Sequence, residues 1–277
     1  GKLKPCARGK QTQSRKTLAL TLKDDTTMTK IELIQLGDTY PVYFQKIQKF
    51  GDSSSIFKVV AISENNNAEI LNRETVRLSD NDFSFLTTRQ TVADFSVVIV
   101  NRPLQGNYFS RPISEKLIVV SIFDIETLNI HEGISVEMYI TRFLLAFSTI
   151  FQSFFGLSQQ ATELMQPNAT GCLFDKSIYK PQIAIFFRQP KLSPAAINLL
   201  NSKTLPQNFL TDLQNDIKKL KIGTYYKLKD WLKENPIWAI SITFLIGLIF
   251  SELLGNYTYD LIHDCLPFIN NATTPTK

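Results

Sequence analysis

The sequence predicts an α/β (or α+β) domain with a mixed sheet and a long buried central helix, followed by a helical stalk and one C-terminal transmembrane helix. Three observations carry this. FSVVIV at residues 95–100 and LIVVSIF at 117–123 are short unbroken apolar runs, residues 135–157 form a long run that is apolar almost all round, and IWAISITFLIGLIFS at 237–251 contains no charge. At 277 residues, 44% hydrophobic and 20% charged, the chain can build one sizeable core plus an appendage.

Taken in order, residues 1–27 read as a basic flexible leader carrying Lys2, Lys4, Arg8, Lys10, Arg15, Lys16 and Lys23. It has no apolar run of signal-peptide type, so it is either a flexible tail or extra sequence ahead of a natural start at Met28. The rest of the chain is close to neutral, and no nucleic-acid partner is expected.

Residues 28–190 read as a cytoplasmic α/β domain. KIELIQLG at 30–37 is an opening strand, and YPVYFQKIQKF at 40–50 has the spacing of a short amphipathic helix. After a polar loop at 51–55, IFKVVAI at 56–62 is a second strand, ended by the turn cluster ENNNA at 64–68. The runs at 95–100 and 117–123 have the composition of central strands covered on both faces, which implies helices on each side of the sheet. Residues 101–114 between them read as a loop, with Pro103, Gly106 and Pro112.

The long helix at 135–157 starts at Ser135 as N-cap, with Glu137 in its first turn. Arg142 and Gln152 interrupt its apolar run, which favours a core helix over a second membrane segment. IAIFF at 183–187 is a strand or a helix, and Ser193 opens a helix with Pro194 at its favoured first position. Residues 191–235 then form a helical stalk, with Leu210, Leu213, Ile217 and Leu220 on one side and lysines elsewhere.

Residues 236–255 read as the membrane helix, close to the roughly 20 residues that cross a bilayer. Lys218, Lys219, Lys221, Lys227, Lys229 and Lys233 precede it, whereas only His263 and Lys277 follow. That asymmetry predicts a single pass through the inner or plasma membrane, with the N-terminus cytoplasmic and the tail at 256–277 outside. Trp231 and Trp238 straddle one boundary and Tyr257 and Tyr259 the other, as an aromatic belt does.

Ala239, Thr243, Gly247, Ser251 and Gly255 recur every four residues, a stripe of small side chains on which a second copy could pack as a homo-oligomer. Glu252 beside it either reaches headgroup water or faces a bundle interior, where a ring of carboxylates would line a cation path.

The chemistry is bounded by what the residues leave out. Cys6, Cys172 and Cys265 are too few and too scattered for a disulfide framework or a zinc cluster. Of two histidines, His263 lies beyond the membrane helix, which argues against a catalytic triad or multi-histidine metal site in one compartment. His131-Glu132-Gly133 begins like a zincin motif, but Ser135 stands where the second histidine belongs. No phosphate-loop or dinucleotide fingerprint occurs.

Asp124, Glu126, Glu132 and Glu137 form an acidic group read as solvated or capping, so neither a metal nor another cofactor is expected. The candidate ligand site is the loop after the first central strand, where Arg102, Asn107, Tyr108 and Arg111 could hold an anionic or nucleotide-like ligand.

In residues 95–200 the pieces FSVVIVNRPL, NYFS, LIVVSIF, the long helix at 139–156 and the turn Gly171-Cys172-Leu173 follow one another. In that order they resemble the archaemetzincin group of zinc peptidases, and TGCLFD is similar to segments of bacterial proteins of this build. The resemblance implies a zincin-like fold. The family's HExxH helix, third histidine and cysteine pair are missing, since ITRFLLAFSTIFQSFFGL offers no ligand and residues 191–200 no cysteine.

The expected function is therefore a membrane-anchored, non-catalytic ligand- or partner-binding protein. By self-association in the bilayer it would act as a membrane-disrupting effector of bacterial defence or toxin type. The alternatives are a membrane-bound hydrolase or peptidase of zincin-like ancestry, using Asp124, Glu132 or Asp175, and a structural membrane adaptor.

Overall fold

The computed structural model describes residues 28–39, 42–66, 77–126, 132–157, 164–165, 170–175 and 180–271, with the backbone alone at 107, 180–181, 224–225, 230, 253 and 255–271. The expected leader at 1–27 and His131 lie outside these residues. The chain divides into two compact units, Gly1–Ile222 and Gly223–Lys277.

The first unit is a mixed α/β layer structure. Strands β1 (Thr29–Leu36), β2 (Phe57–Asn65), β3 (Phe95–Val100), β4 (Ser110–Ser114) and β5 (Leu117–Ser121) form one five-stranded sheet in the order β2-β1-β3-β5-β4. All neighbouring pairs are parallel except β4 with β5. Every residue of β3 and β5 is buried, because both faces of the sheet are covered.

On one face, Ile34, Leu36, Val98, Val100 and Val119 pack with Leu78, Phe83, Leu86 and Leu104 from the connections. At the edge of that layer the buried Glu32 carboxylate meets Arg89 at 2.9 Å and accepts from Ser63 and Ser96 Oγ. Helix α1 (Phe44–Asp52) follows β1, and a short helix α2 (Ser84–Thr87) follows a 3-10 turn at Asp80–Phe83.

The opposite face is covered by α3 (Val136–Phe154), which packs on β1, β2 and α1. The Ser135 Oγ accepts from Met138 N at 3.2 Å, capping α3 as expected. Each fully buried large apolar side chain contributes about 1.5–3 kcal/mol, and α3 supplies Tyr139, Ile140, Leu144, Leu145 and Ile150 at no more than 1% exposure. It is a core helix.

The two polar interruptions of α3 are tertiary ties. Gln152 Nε2 donates to Thr29 Oγ1 at 2.8 Å and to Ile56 O at 2.9 Å, joining α3 to the starts of β1 and β2. Arg142 Nη2 donates to the carbonyl oxygens of Cys172 and Asp175 at 3.4 and 3.3 Å, and its guanidinium lies 5.1 and 5.2 Å from the rings of Phe143 and Phe186. Burial lowers the Arg142 pKa, against the pull of Tyr139, Asp175 and Cys172.

Two sequence expectations need correction, and one left open is decided. Residues 110–114 are not loop but the antiparallel edge strand β4, where Pro112 is tolerated because one side of an edge strand needs no N–H donor. Strand β2 continues through Glu64 and Asn65, which had been read as turn, because an edge strand alternating buried and exposed side chains keeps polar residues on its open face. Residues 183–187, left as strand or helix, belong to helix α4 (Lys180–Arg188).

Helix α5 (Pro194–Asn201) is capped by Ser193, whose Oγ accepts from Ala196 N at 3.1 Å. The segment expected as a stalk divides between the units. Helix α6 (Phe209–Lys219) belongs to the first, with Leu213 and Ile217 buried and the Asp216 carboxylate accepting from Ser54 Oγ at 2.5 Å and Lys219 Nζ at 2.6 Å.

The second unit holds α7 (Thr224–Glu234) and α8 (Pro236–Asn271). Asn235 between them is non-helical, with φ −127° and ψ 68°, since the residue before a proline is pushed out of the helical region. Pro236 then starts α8 where its missing N–H costs nothing. Among the described residues no single helix is long and apolar enough to cross a membrane. Tyr226–Glu234 and Pro236–Glu252, bent by 114°, reach that length and composition only as a pair.

Candidate functional site

The sheet order places β2 on one side of β1 and β3 on the other, so the chain changes direction between β1 and β3. Open α/β sheets bind ligands outside the carboxyl ends of strands at such a point. The loop leaving β3 begins at this end.

Backbone pairing fixes the loop. Leu78 N donates to Pro103 O at 2.9 Å, Gln105 N to Leu78 O at 2.7 Å, and Ser121 Oγ to Arg102 O at 2.7 Å. Gly106 then turns the chain with φ +74°, and a Cβ there would stand 2.7 Å from the Tyr108 ring, so the position requires glycine.

Tyr108 is 49% exposed, and the Arg111 guanidinium stacks over its ring at 5.2 Å. Arg111 Nε also donates to Asp80 Oδ1 at 2.8 Å, from the 3-10 turn. Of the four expected ligand residues, the structure thus brings Tyr108 and Arg111 together. Arg102 sits at the start of the loop, held through its carbonyl oxygen. Asn107 lies in the turn Gln105–Asn107, and its side chain is outside the described residues.

Asp80 was not legible as part of the site, because nothing in the spacing of residues 80 and 111 links them. Its effect is electrostatic. The Arg111 charge is already met, yet both partners are partly exposed, at 34% and 45%, and such a pair is worth about 0–1 kcal/mol. An anion could displace the carboxylate at that cost, with the Tyr108 face beside it to stack on a planar group.

The carboxylates named for hydrolysis (Asp124, Glu132 and Asp175) and Glu137 of the acidic group are placed as follows. Glu132 pairs with Arg188 at 2.6 Å, Asp175 Oδ2 accepts from Gly171 N at 2.9 Å, and Glu137 Oε1 accepts from Tyr43 N at 3.0 Å at the start of α1. Asp124 occupies a left-handed turn with φ +60°. Among the described residues no three His, Cys, Asp or Glu side chains are grouped to hold a metal ion. Buried Cys172 instead accepts from Ser193 N through Sγ at 3.1 Å.

In the second unit, Ala239, Thr243, Gly247 and Ser251 share a face of α8, and a Cβ on Gly247 would meet nothing within 4 Å. The Thr243 and Ser251 hydroxyls donate to Ala239 O and Leu248 O, both at 2.8 Å, so neither requires a partner outside its own helix. Glu252 is exposed, and the backbone of Gly255 continues the helix.

No protein-family model matches the chain, and no curated protein matches it. Among solved structures, the crystal structure of archaemetzincin from Methanopyrus kandleri is similar at 12% identity, with a TM-score of 0.44, over 64% of this chain and 96% of that one. A likeness at that TM-score assigns neither family nor activity.

Proposed function

We propose that this chain is a membrane-anchored, non-catalytic binding protein, in which the α/β unit takes an anionic or nucleotide-like ligand at Tyr108 and Arg111 and α8 enters the bilayer. The observation that carries the reading is the surface of α8. Between Ile237 and Phe250 every large apolar side chain except the half-buried Ile242 is between 47% (Ile246) and 78% (Ile237) exposed, with no charged residue from Pro236 to Ser251. Exposed area of this extent is costly in water at about 25 cal/mol per Å² and is relieved by hydrocarbon.

The lysines ahead of Pro236 favour a cytoplasmic N-terminal mass and an outer C-terminus in the inner or plasma membrane. Self-association along Ala239, Thr243, Gly247, Ser251 and Gly255, with Glu252 alongside, would then make the chain a membrane-disrupting effector of bacterial defence or toxin type.

The test is flotation with vesicles and extraction with alkaline carbonate. The chain should float and resist extraction, and an aqueous monomer without detergent would overturn the reading. Stoichiometric zinc, or peptide hydrolysis abolished by Glu132→Gln, would favour a membrane-bound hydrolase instead.

A further inference from the structure

Helix α7 carries two parallel ridges that its role as a simple connector does not require. Leu228 and Leu232 stand four residues apart and Trp231 completes their stripe, leaving Leu228 53% and Trp231 40% exposed. Lys229 and Lys233 form the adjoining ridge, and Lys227 flanks the stripe on its other side. Leu228, Lys229, Leu232 and Lys233 together line an open groove of about 360 Å³. Glu234, three residues beyond Trp231, stands on the same flank of the stripe as Lys227.

We infer that α7 lies in the plane of a bilayer surface and recognises anionic lipid headgroups, its leucines and Trp231 entering the acyl boundary while the lysines meet phosphates. The inference rests on the membrane reading of α8 and adds the lipid class to it. An apolar stripe with the ridge of Lys229 and Lys233 along one side suits an interface whose one side is hydrocarbon and whose other side is negatively charged. The stripe also runs into α8 through a break at Asn235 and Pro236 that bends the axis by 114°. A helix lying along a surface needs a sharp bend of this kind before one that enters it. Trp231 at the junction has the amphipathic ring preferred at headgroup level.

The chain has two tryptophans, so Trp238→Phe leaves Trp231 as the sole tryptophan in the full-length protein, and excitation beyond the tyrosine absorption band isolates its emission. It is mixed with vesicles of phosphatidylcholine alone and of phosphatidylcholine with phosphatidylglycerol. Trp231 emission should move to the blue in the anionic vesicles and less so in the neutral ones, and added salt should shrink the difference.

Replacing Lys227, Lys229 and Lys233 by Gln should abolish the lipid preference while flotation persists. At roughly fivefold per lysine, the surface partition of α7 should fall about a hundredfold. Equal Trp231 emission in both lipids, an effect indifferent to salt, or a preference retained in the lysine variant overturns the inference with the anchor intact. A chain that floats with neither vesicle overturns the membrane reading itself.

Discussion

Arg142, on the buried helix α3, donates to the carbonyl oxygen of Cys172 at 3.4 Å, so the turn Gly171–Asp175 is held by a cation from the core. The same Nη2 reaches Asp175 O, whereas the buried Nε has no hydrogen-bond partner among the described residues. Among the described residues the tie therefore rests on two carbonyl contacts and two aromatic faces, without a direct carboxylate.

Removing this side chain should be costly. Arg142→Ala leaves two carbonyl oxygens short of a donor, at about 1–3 kcal/mol each, and opens a void beside Phe143 and Phe186. We expect a loss of about 3–5 kcal/mol in urea unfolding. Arg142→Met keeps much of the volume and should lose less, because it also relieves the burial of a charge.

Tyr139 predicts a response to alkaline pH. Burial pushes its phenol well above the ordinary range, against the lowering influence of Arg142, and its hydroxyl donates to Ser121 O at 3.0 Å. The folded state holds this proton after the unfolded chain has lost it. The contribution is thus fully present below about pH 10 and falls above it by about 1.4 kcal/mol per pH unit. Tyr139→Phe should flatten that part of the stability profile while losing about 1 kcal/mol at neutral pH. Unfolding curves at successive pH values check both effects.

Asp80 should act as a competitor at the candidate ligand site. Asp80→Asn frees Arg111, and inorganic pyrophosphate should then bind up to about fivefold more tightly, the most a partly exposed ion pair is worth. Arg111→Gln should remove the binding. Titration calorimetry distinguishes the two, and pyrophosphate affinity indifferent to both changes would remove this loop from consideration.

The small-residue face of α8 should be sensitive to bulk. Gly247→Leu with Ser251→Leu should leave the chain in the membrane but break cross-linked oligomers into single copies, since close helix approach needs small side chains. Oligomers that survive both changes would place the contact on another face of α8.

Much of the fold was legible because burial leaves a local mark. FSVVIV and LIVVS are apolar at nearly every position, which only strands covered on both faces require, and Ser135 sits where α3 needs a cap. Strand β4 left no such mark: SRPIS is short and carries a proline, and its strand character comes from pairing with β5. Residues 64 and 65 were likewise turn-like in composition but are held in β2 by the ladder to β1.

By itself, then, the sequence determined the layered α/β class, the core position of α3 and the uncharged run of α8, since these follow from apolar spacing along the chain. Only the tertiary structure decided what Arg142, Gln152 and Asp80 do. Each meets partners distant in sequence, and a polar side chain acquires its energetic meaning from the donor, acceptor or charge that folding brings to it, which no local pattern encodes.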